Sequence, residues 1–469
     1  MKEDIKVSTK GLWQHLILAL KGSEEDYTQI DMKKAIFLLA VPMILELLME
    51  STFAVVDIYF VGKLGASAVA TVGLTETYLF LLYSIGMGLA TAVTAIIARR
   101  TGEKEKNQAA ISAVQAIFLA ILASLPFAVL GIFYSKELLA LMGADEWAIA
   151  YGYRYTQWML GSNAVIMLLF VINSIFRGAG DAAIAMRVLW VSNGINILLD
   201  PILIFGLGPI PAYGIEGAAI ATTIGRGIGV LIQIWVLFRG GKHIKVLKRH
   251  LIWSGNVILN LIQTSLGGIG QMIIAMSAWI FIMRILADIS SEAVAGATIA
   301  LRVLLFTMMP AWGLSNAAAT LVGQNLGAND ADRAESAIWK TGAYNMVFLV
   351  LVSFIYFFFA NDLMATFTSD SVVIQVGSDW LRILSYSFFI YGWWMVSVQA
   401  FNGAGDTVTP TKINVVFFWL IQIPLAYLLA IHLDWGYIGV FWAIFFSESS
   451  VGLFTLWLFS RGKWKTYKV

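Results

Sequence analysis

The chain contains no cysteine, which excludes disulfide frameworks and thiolate metal centres. Charge is also scarce. Lysine, arginine, aspartate and glutamate together make up 13% of the 469 residues, and the formal net charge of +2 points to no nucleic-acid partner. The four histidines, His15, His243, His250 and His432, fall in the leader, in loops or at the ends of apolar runs, a distribution that argues against a histidine metal site. No GxxxxGKS/T phosphate loop occurs, and FRGGKH (238–243) is no substitute, which disfavours an ATP-driven pump. An enzyme would need a nucleophile with its base, or a metal cluster; the sequence offers neither, and no cofactor is expected.

Apolar sequence is what the chain has in excess. Hydrophobic residues account for 59% of it and the mean hydropathy is +0.79, more than a soluble core can hide. A bilayer-spanning helix takes about 20 apolar residues. Twelve such runs begin near Ala35, Val72, Gln108, Ala148, Ile184, Gly214, Val257, Ala293, Ala337, Trp380, Thr411 and Gly436. The expected fold is an all-α integral membrane protein embedded in a lipid bilayer. The start, MKEDIKVSTK, carries both signs of charge and is expected not to be a cleaved signal. After it, LWQHLILAL sets Leu12, Leu16 and Leu20 on one face, a candidate interfacial helix.

Lysine and arginine give the orientation. The leader 1–34 holds six of them, 99–106 four, 239–249 five and the tail 461–469 four, whereas the opposite turns hold Lys63, Lys136 and Arg284. The positive-inside bias then places both termini in the cytoplasm.

The sequence also repeats itself. FRGAGD (176–181) and FNGAGD (401–406) differ at one letter and lie 225 residues apart. The same offset lays SAVATVGL (67–74) on EAVAGATI (292–299) and Gly102 on Gly327; an offset of 222 lays Gly214, Gly217 and Ala221 on Gly436, Gly439 and Ala443. The chain therefore reads as two six-helix lobes, 35–238 and 257–460, joined by a basic cytoplasmic linker, 239–256. Because six is even, both lobes enter the membrane in the same sense, related by a pseudo-two-fold axis along its normal. This arrangement is common in transporters. The hexapeptides read as tight turns whose glycines allow positive φ, with Asp181 and Asp406 capping the helices that follow.

An ionisable group at mid-membrane costs about 2.5–3.5 kcal/mol on insertion scales and so reads as functional. The first span carries Glu46, Glu50 and Asp57; at about 100° per residue the last two lie within about 40° of the first. The fifth span, SNGINILLDPIL, brings Asn193, Asn196 and Asp200 within about 60° of one another, beside Pro201, which leaves a carbonyl one turn earlier unpartnered. Oxygens of this kind suit Na+. They suit a proton equally well, because a carboxyl group taken out of water binds one more readily. At the 225 offset Asp57 falls on Ile282 and Asp200 on Leu425, so the amino-terminal lobe is the expected coupling lobe. Arg226, Arg302, Glu76, Glu216 and Glu448 read as structural partners across helices or near the interfaces.

With the two lobes, the glycine turns and the acidic first span together, the chain resembles a multidrug and toxic compound extrusion (MATE) transporter of the DinF-like prokaryotic branch over residues of about 30 to 460. FAVVDIYFVGKLG (53–65) with AVATVGL (68–74), and NILLDPILIFG (196–206) with GIEGAAIAT (214–222), carry the likeness. The resemblance implies that Asp57, Asp200, Asn196, Thr222 and Tyr155 bind the coupling ion, with Na+ possible at Asp57, Asn196, Asp200 and Thr222. It also implies that Pro42 bends the first helix, and that Glu50 and Asn173, with Glu46 and Asn193 beside them, line a substrate cavity. Glu50 replaces a neutral amide of several relatives, an extra negative charge that would favour cationic substrates. Gln271 stands about where the NorM-type branch has a glutamate, which puts that branch's second-lobe cation site in doubt.

The expected function is H+- or Na+-coupled efflux of amphipathic, often cationic compounds by a monomer in the cytoplasmic (inner) membrane. The alternatives are a lipid-linked precursor flippase of the same superfamily, against which the acidic first span argues, and a major-facilitator transporter. The latter's Gly-x-x-x-Asp-Arg loop is missing from ARRTGEKEKNQ (98–108).

Overall fold

A computed structural model of the chain describes residues 9–241 and 243–467, with side chains described from Trp13 onward. Inside a bilayer no water is available to bond with backbone N–H and C=O groups, and a helix satisfies them internally. The apolar runs accordingly fold as helices. The leader contributes α1 (Thr9–Lys21). The first half follows as α2 (Met32–Gly62), α3 (Ala66–Gly102), α4 (Lys106–Leu141), α5 (Tyr153–Gly161), α6 (Asn163–Ala179), α7 (Ala182–Phe205) and α8 (Ile215–Arg239). The second half comprises α9 (Gly255–Ile289), α10 (Ser291–Gly327), α11 (Ala331–Ala365), α12 (Ser371–Ser385), α13 (Phe388–Ala404), α14 (Val408–Asn414), α15 (Ile423–Tyr427) and α16 (Gly436–Ser460). The helices α14 and α15 belong to one continuous span, Val408–His432, with stretches of π geometry after each.

Eleven helical stretches among the described residues are long and apolar enough to cross a membrane. The tenth expected span is there too, divided into α12 of 15 residues and α13 of 17. The first half breaks at the equivalent place, between α5 and α6. At the two breaks Ser162 and Ser387, 225 residues apart, turn their hydroxyls back onto the carbonyls of Trp158 (2.7 Å) and Leu384 (2.8 Å), the local bond by which serine competes with helix continuation. The tenth span starts at Ser371 and not near Trp380. Asp370 caps it by accepting from the backbone N–H groups of Val372 and Val373, and its polar face, Gln375 and Asp379, masks its apolar periodicity.

The hexapeptide turns form as expected, with Gly180 at φ +97° and Gly405 at φ +93°. Their aspartates behave differently. Asp406 caps the next helix, accepting from the N–H and the hydroxyl of Thr409. Asp181 makes no such side-chain cap; its Oδ2 instead accepts from the backbone N–H of His243. This bond helps tie the linker to the first half, where Ile244 and Val246 are buried in the core. Residues 1–8 of the leader, Lys242 of the linker, Lys468 and Val469 of the tail, and the side chain of Leu12 lie outside the described residues. Elsewhere on α1, Leu16 and Leu20 are half-buried, Ala19 is buried and Trp13 is exposed.

The two halves meet through glycines in symmetric pairs. A Cβ on Gly88 of α3 would lie 2.4 Å from Cγ1 of Ile269 on α9, and one on Gly313 of α10 would lie 2.7 Å from Cγ1 of Ile44 on α2. Both glycines and both isoleucines are 225 residues apart. Further along, a Cβ on Gly102 would lie 1.9 Å from the Gln324 carbonyl oxygen and one on Gly327 would lie 2.2 Å from that of Arg99, again a pair at the 225 offset. The repeat seen in the sequence is therefore a pseudo-two-fold axis in space. Small residues at a crossing let helix backbones touch, which is how helices associate where lipid supplies no hydrophobic drive. The same end gathers the hexapeptide turns. Thr320 and Gln324 donate to the carbonyls of Arg177 (3.2 Å) and Gly178 (3.0 Å).

Replacing Gly102 with alanine is expected to destabilise the protein by roughly 1–3 kcal/mol, the usual cost of overpacking. Gly73→Ala, where a Cβ meets nothing within 4 Å, is the control. Thermal unfolding of both variants in detergent checks this, and equal midpoints would remove the crossing from the list of determinants.

Candidate functional site

The first half places its polar residues on α2, α6, α7 and α8, and glycines set how closely these helices approach. On α8, a Cβ at Gly217 would lie 2.4 Å from the Leu203 carbonyl oxygen and one at Gly225 would lie 2.7 Å from that of Ser192, so α7 and α8 lie backbone to backbone. That contact brings Asn196 onto Thr222, whose Oγ1 accepts from Asn196 Nδ2 at 3.0 Å. The amide is thereby oriented, and its oxygen is left free. Asn196 Oδ1, both carboxyl oxygens of Asp200 and Oδ1 of Asp57 are buried with no hydrogen-bond donor among the described residues. Asp57 and Asp200 lie within electrostatic range of each other. Tyr155 is buried in the same region, within range of both.

Four unpartnered oxygens, two of them on one fully buried carboxyl group, form an acceptor-only pocket. Buried polar groups are nearly always bonded, so this donor set is chemically suited to a small cation, a proton or water. Asn196 and Thr222 supply neutral oxygen chemistry beside the two carboxyl groups.

The two glutamates of the first span have a different fate. Glu46 Oε1 accepts from Asn173 Nδ2 (3.1 Å) and from Arg177 Nη1 (3.3 Å), and Asn173 Oδ1 in turn accepts from Gln233 Nε2 at 2.6 Å. Glu50 accepts from Arg226 Nη2 (2.8 Å) and from Asn193 Nδ2 (3.0 Å), and the same guanidinium lies 5.3 Å from the Phe53 ring centroid. Glu50 is therefore not an extra free negative charge: Arg226 neutralises it. Arg177, counted in the sequence among the cytoplasmic charges, turns inward onto Glu46. The signal for the second pair was an arginine inside an apolar run, GRGIGVL, which needs an acid on a neighbouring helix; the sequence did not say which.

The remaining intramembrane ions divide. Glu216 takes Arg154 (3.1 Å) and the indole N–H of Trp158 (3.1 Å). Glu76 and Arg302, on α3 and α10, are exposed and feel each other only at longer range. The second half is neutral where the first is charged: Gln271 Nε2 donates to Asn402 Oδ1 (3.1 Å) and to the Thr407 carbonyl (3.0 Å). Gln271 is Glu46 plus 225 and Asn402 is Arg177 plus 225, so the single letter that separates the two hexapeptides is one partner of a pair whose other partner changes with it.

The family profile MatE matches residues 42–202 and 268–428, once in each half. The chain belongs to the MatE family. It is a multispanning membrane transporter and not an enzyme, and the major-facilitator reading falls. Among relatives of this MATE chain, the "Probable multidrug resistance protein YoeA" of Bacillus subtilis is 25% identical over 445 residues, covering 93% of this chain and 95% of that protein. A "FAD transporter" of Shewanella oneidensis is 26% identical over 393 residues, covering 83% and 86%. The crystal structure of MATE in the bent conformation matches with a TM-score of 0.86 at 23% identity, over 95% of this chain and 98% of that one. That of a MOP superfamily transporter from Pyrococcus furiosus matches at 0.85 and 23%, over 99% and 100%. Both show the same fold.

Breaking a buried pair by removing one partner strands the other, at a typical cost of roughly 3–5 kcal/mol, whereas removing both costs little. Glu50→Gln is accordingly expected to destabilise the MATE chain by about that much, and Glu50→Gln with Arg226→Gln to recover most of it. A double-mutant cycle on unfolding in detergent measures the coupling; simple additivity would show that the pair is not an energetic unit.

Proposed function

We propose that the protein exports amphipathic organic compounds from the cell, cations prominent among them, in exchange for H+ or Na+. It works as a monomer in the cytoplasmic (inner) membrane with both termini in the cytoplasm. The observation that carries this reading is the acceptor-only pocket of Asp57, Asn196 and Asp200 inside an otherwise well-bonded first half. The names of several relatives, multidrug resistance proteins, support the export of drugs.

In this reading Asp57 and Asp200 hold the coupling ion as substrate, Asn196 and Thr222 add neutral oxygens, and Tyr155 tunes the network. Pro42 and Pro201, each inside a helix, weaken the local hydrogen-bond ladder so that those helices can bend. Glu46, Glu50, Asn173 and Asn193 line the cavity through which cargo passes. Because Arg177 and Arg226 neutralise both glutamates, this cavity is polar without a large net charge. Ion binding reorders the carboxyl groups, shifts α2 against α7 and lowers the affinity for cargo. The transporter therefore exchanges one for the other as the lobes rock about their glycine contacts.

Reconstituted vesicles loaded with a fluorescent cationic drug, with pH and Na+ gradients imposed separately, test the reading. Asp57→Asn and Asp200→Asn are each expected to reduce gradient-driven efflux to the rate of protein-free vesicles while expressing normally. Wild-type efflux in Asp57→Asn would remove this aspartate, and with it the proposed pocket, from coupling.

A further inference from the structure

The second half holds a carboxylate that nothing so far employs. Glu448 lies on α16, and its neighbours on the same helix face, Phe441, Ile444, Val451, Gly452 and Thr455, are all buried; they sit within about 60° of it. Glu448 itself keeps some exposure. A residue at the centre of a buried stripe that still meets open space faces a recess inside the lobe and not the surrounding lipid. Its Oε2 is buried without a donor, and it makes no hydrogen bond or ion pair among the described residues. An isolated carboxylate in such surroundings is expensive and reads as functional.

Its surroundings are aromatic. Tyr391 on α13 lies within electrostatic range of it and packs against Trp394 with ring centroids 4.9 Å apart. Trp394 meets Phe418 edge-on at 6.3 Å. Gly452, one turn along α16 from Glu448, admits α13 so closely that a Cβ there would lie 2.3 Å from Ile390 Cγ2 and 3.5 Å from Trp394 Cβ. The indole N–H of Trp394 is buried with no acceptor.

Comparison of the two halves sharpens the point. At the 222 offset that aligns α8 with α16, Glu448 falls on Arg226. In the first half that position is a cation whose counter-ion, Glu50, comes from α2; at the 225 offset Glu50 falls on Ala275 of α9. The second half has reversed the charge and deleted the partner, leaving a place for a cation to be supplied from outside the chain.

We propose that Glu448, with the rings of Tyr391 and Trp394, forms a binding site for an organic monocation inside the second half. The inference rests on the efflux reading and names where its cationic cargo is held. A single carboxylate among aromatic faces suits a diffuse, weakly hydrated charge on an apolar body, which gains from the ring quadrupoles as well as from the ion pair. It lacks the additional oxygens that a bare metal ion requires, and no metal-type cluster of three His, Cys, Asp or Glu exists among the described residues.

Equilibrium binding of tetraphenylphosphonium to the purified protein, with neutral triphenylphosphine oxide as comparison, tests it. Glu448→Gln is expected to weaken binding of the cation about tenfold or more and to leave the neutral compound unchanged, whereas Glu448→Asp retains the preference for the cation. Unchanged cation binding in a Glu448→Gln protein that elutes as the wild type does would overturn the site. Should that variant fail to fold, carbodiimide labelling of wild-type Glu448 followed by mass spectrometry replaces it. Tetraphenylphosphonium is expected to slow the labelling and the neutral analogue is not. Labelling indifferent to the cation, or slowed equally by Na+ alone, would overturn the proposal. Both measurements are made without a gradient, so the behaviour of Asp57→Asn in vesicles bears on ion coupling and leaves this result untouched.

Discussion

The architecture depends on the close approach of α3 and α10, where Gly102 and Gly327 let backbone meet backbone. In a bilayer, apolar side chains gain nothing by turning from lipid to protein. Two six-helix units stay together only where van der Waals contact is dense and polar groups find partners across the join. Glycine pairs supply the contact; the bonds from Thr320 and Gln324 to the first hexapeptide turn supply the polar component. Because each close contact recurs at the 225 offset, the junction behaves as a pair of matched bearings on a pseudo-two-fold axis, and one half can tilt against the other without losing either.

A symmetric shell encloses asymmetric chemistry. Glu46 with Arg177 in the first half becomes Gln271 with Asn402 in the second: the geometry survives and the charges leave together. Glu50 with Arg226 becomes Ala275 with Glu448, and Asp57 and Asp200 become Ile282 and a leucine, Leu425, in an apolar core. Paired charges can be lost as a unit at little cost, whereas loss of one partner strands the other. Glu448 is the one stranded in this way, and the first half retains the acceptor-only pocket. The halves have thus divided two tasks that a symmetric ancestor would have had to combine.

Much of the fold was legible because the bilayer enforces it. Apolar runs of spanning length have few alternatives to the helix, and a repeated glycine hexapeptide marks a repeated turn. The tenth span was misplaced by nine residues because α12 turns Gln375 and Asp379 to one side and is too short to show an apolar run by itself. The helix breaks at Ser162 and Ser387 left no periodic signal, since a serine bonding back to a carbonyl looks in sequence like any serine in a helix. Of the expected site residues, Asp57, Asn196, Asp200, Thr222 and Tyr155 gather in one region, while Glu46 and Glu50 are drawn into ion pairs on the same face of α2.

By itself the sequence determined the number and order of the spans, their parallel duplication and the residues that cannot face lipid, because these follow from composition, periodicity and internal comparison along one chain. Only the tertiary structure decided which buried charges are neutralised. That depends on which helix faces meet, and α2 meets α6, α7 and α8 through contacts dozens to hundreds of residues apart. A glutamate in a span is costly wherever it stands; whether it is a free charge or half of an ion pair is a property of the neighbouring helix.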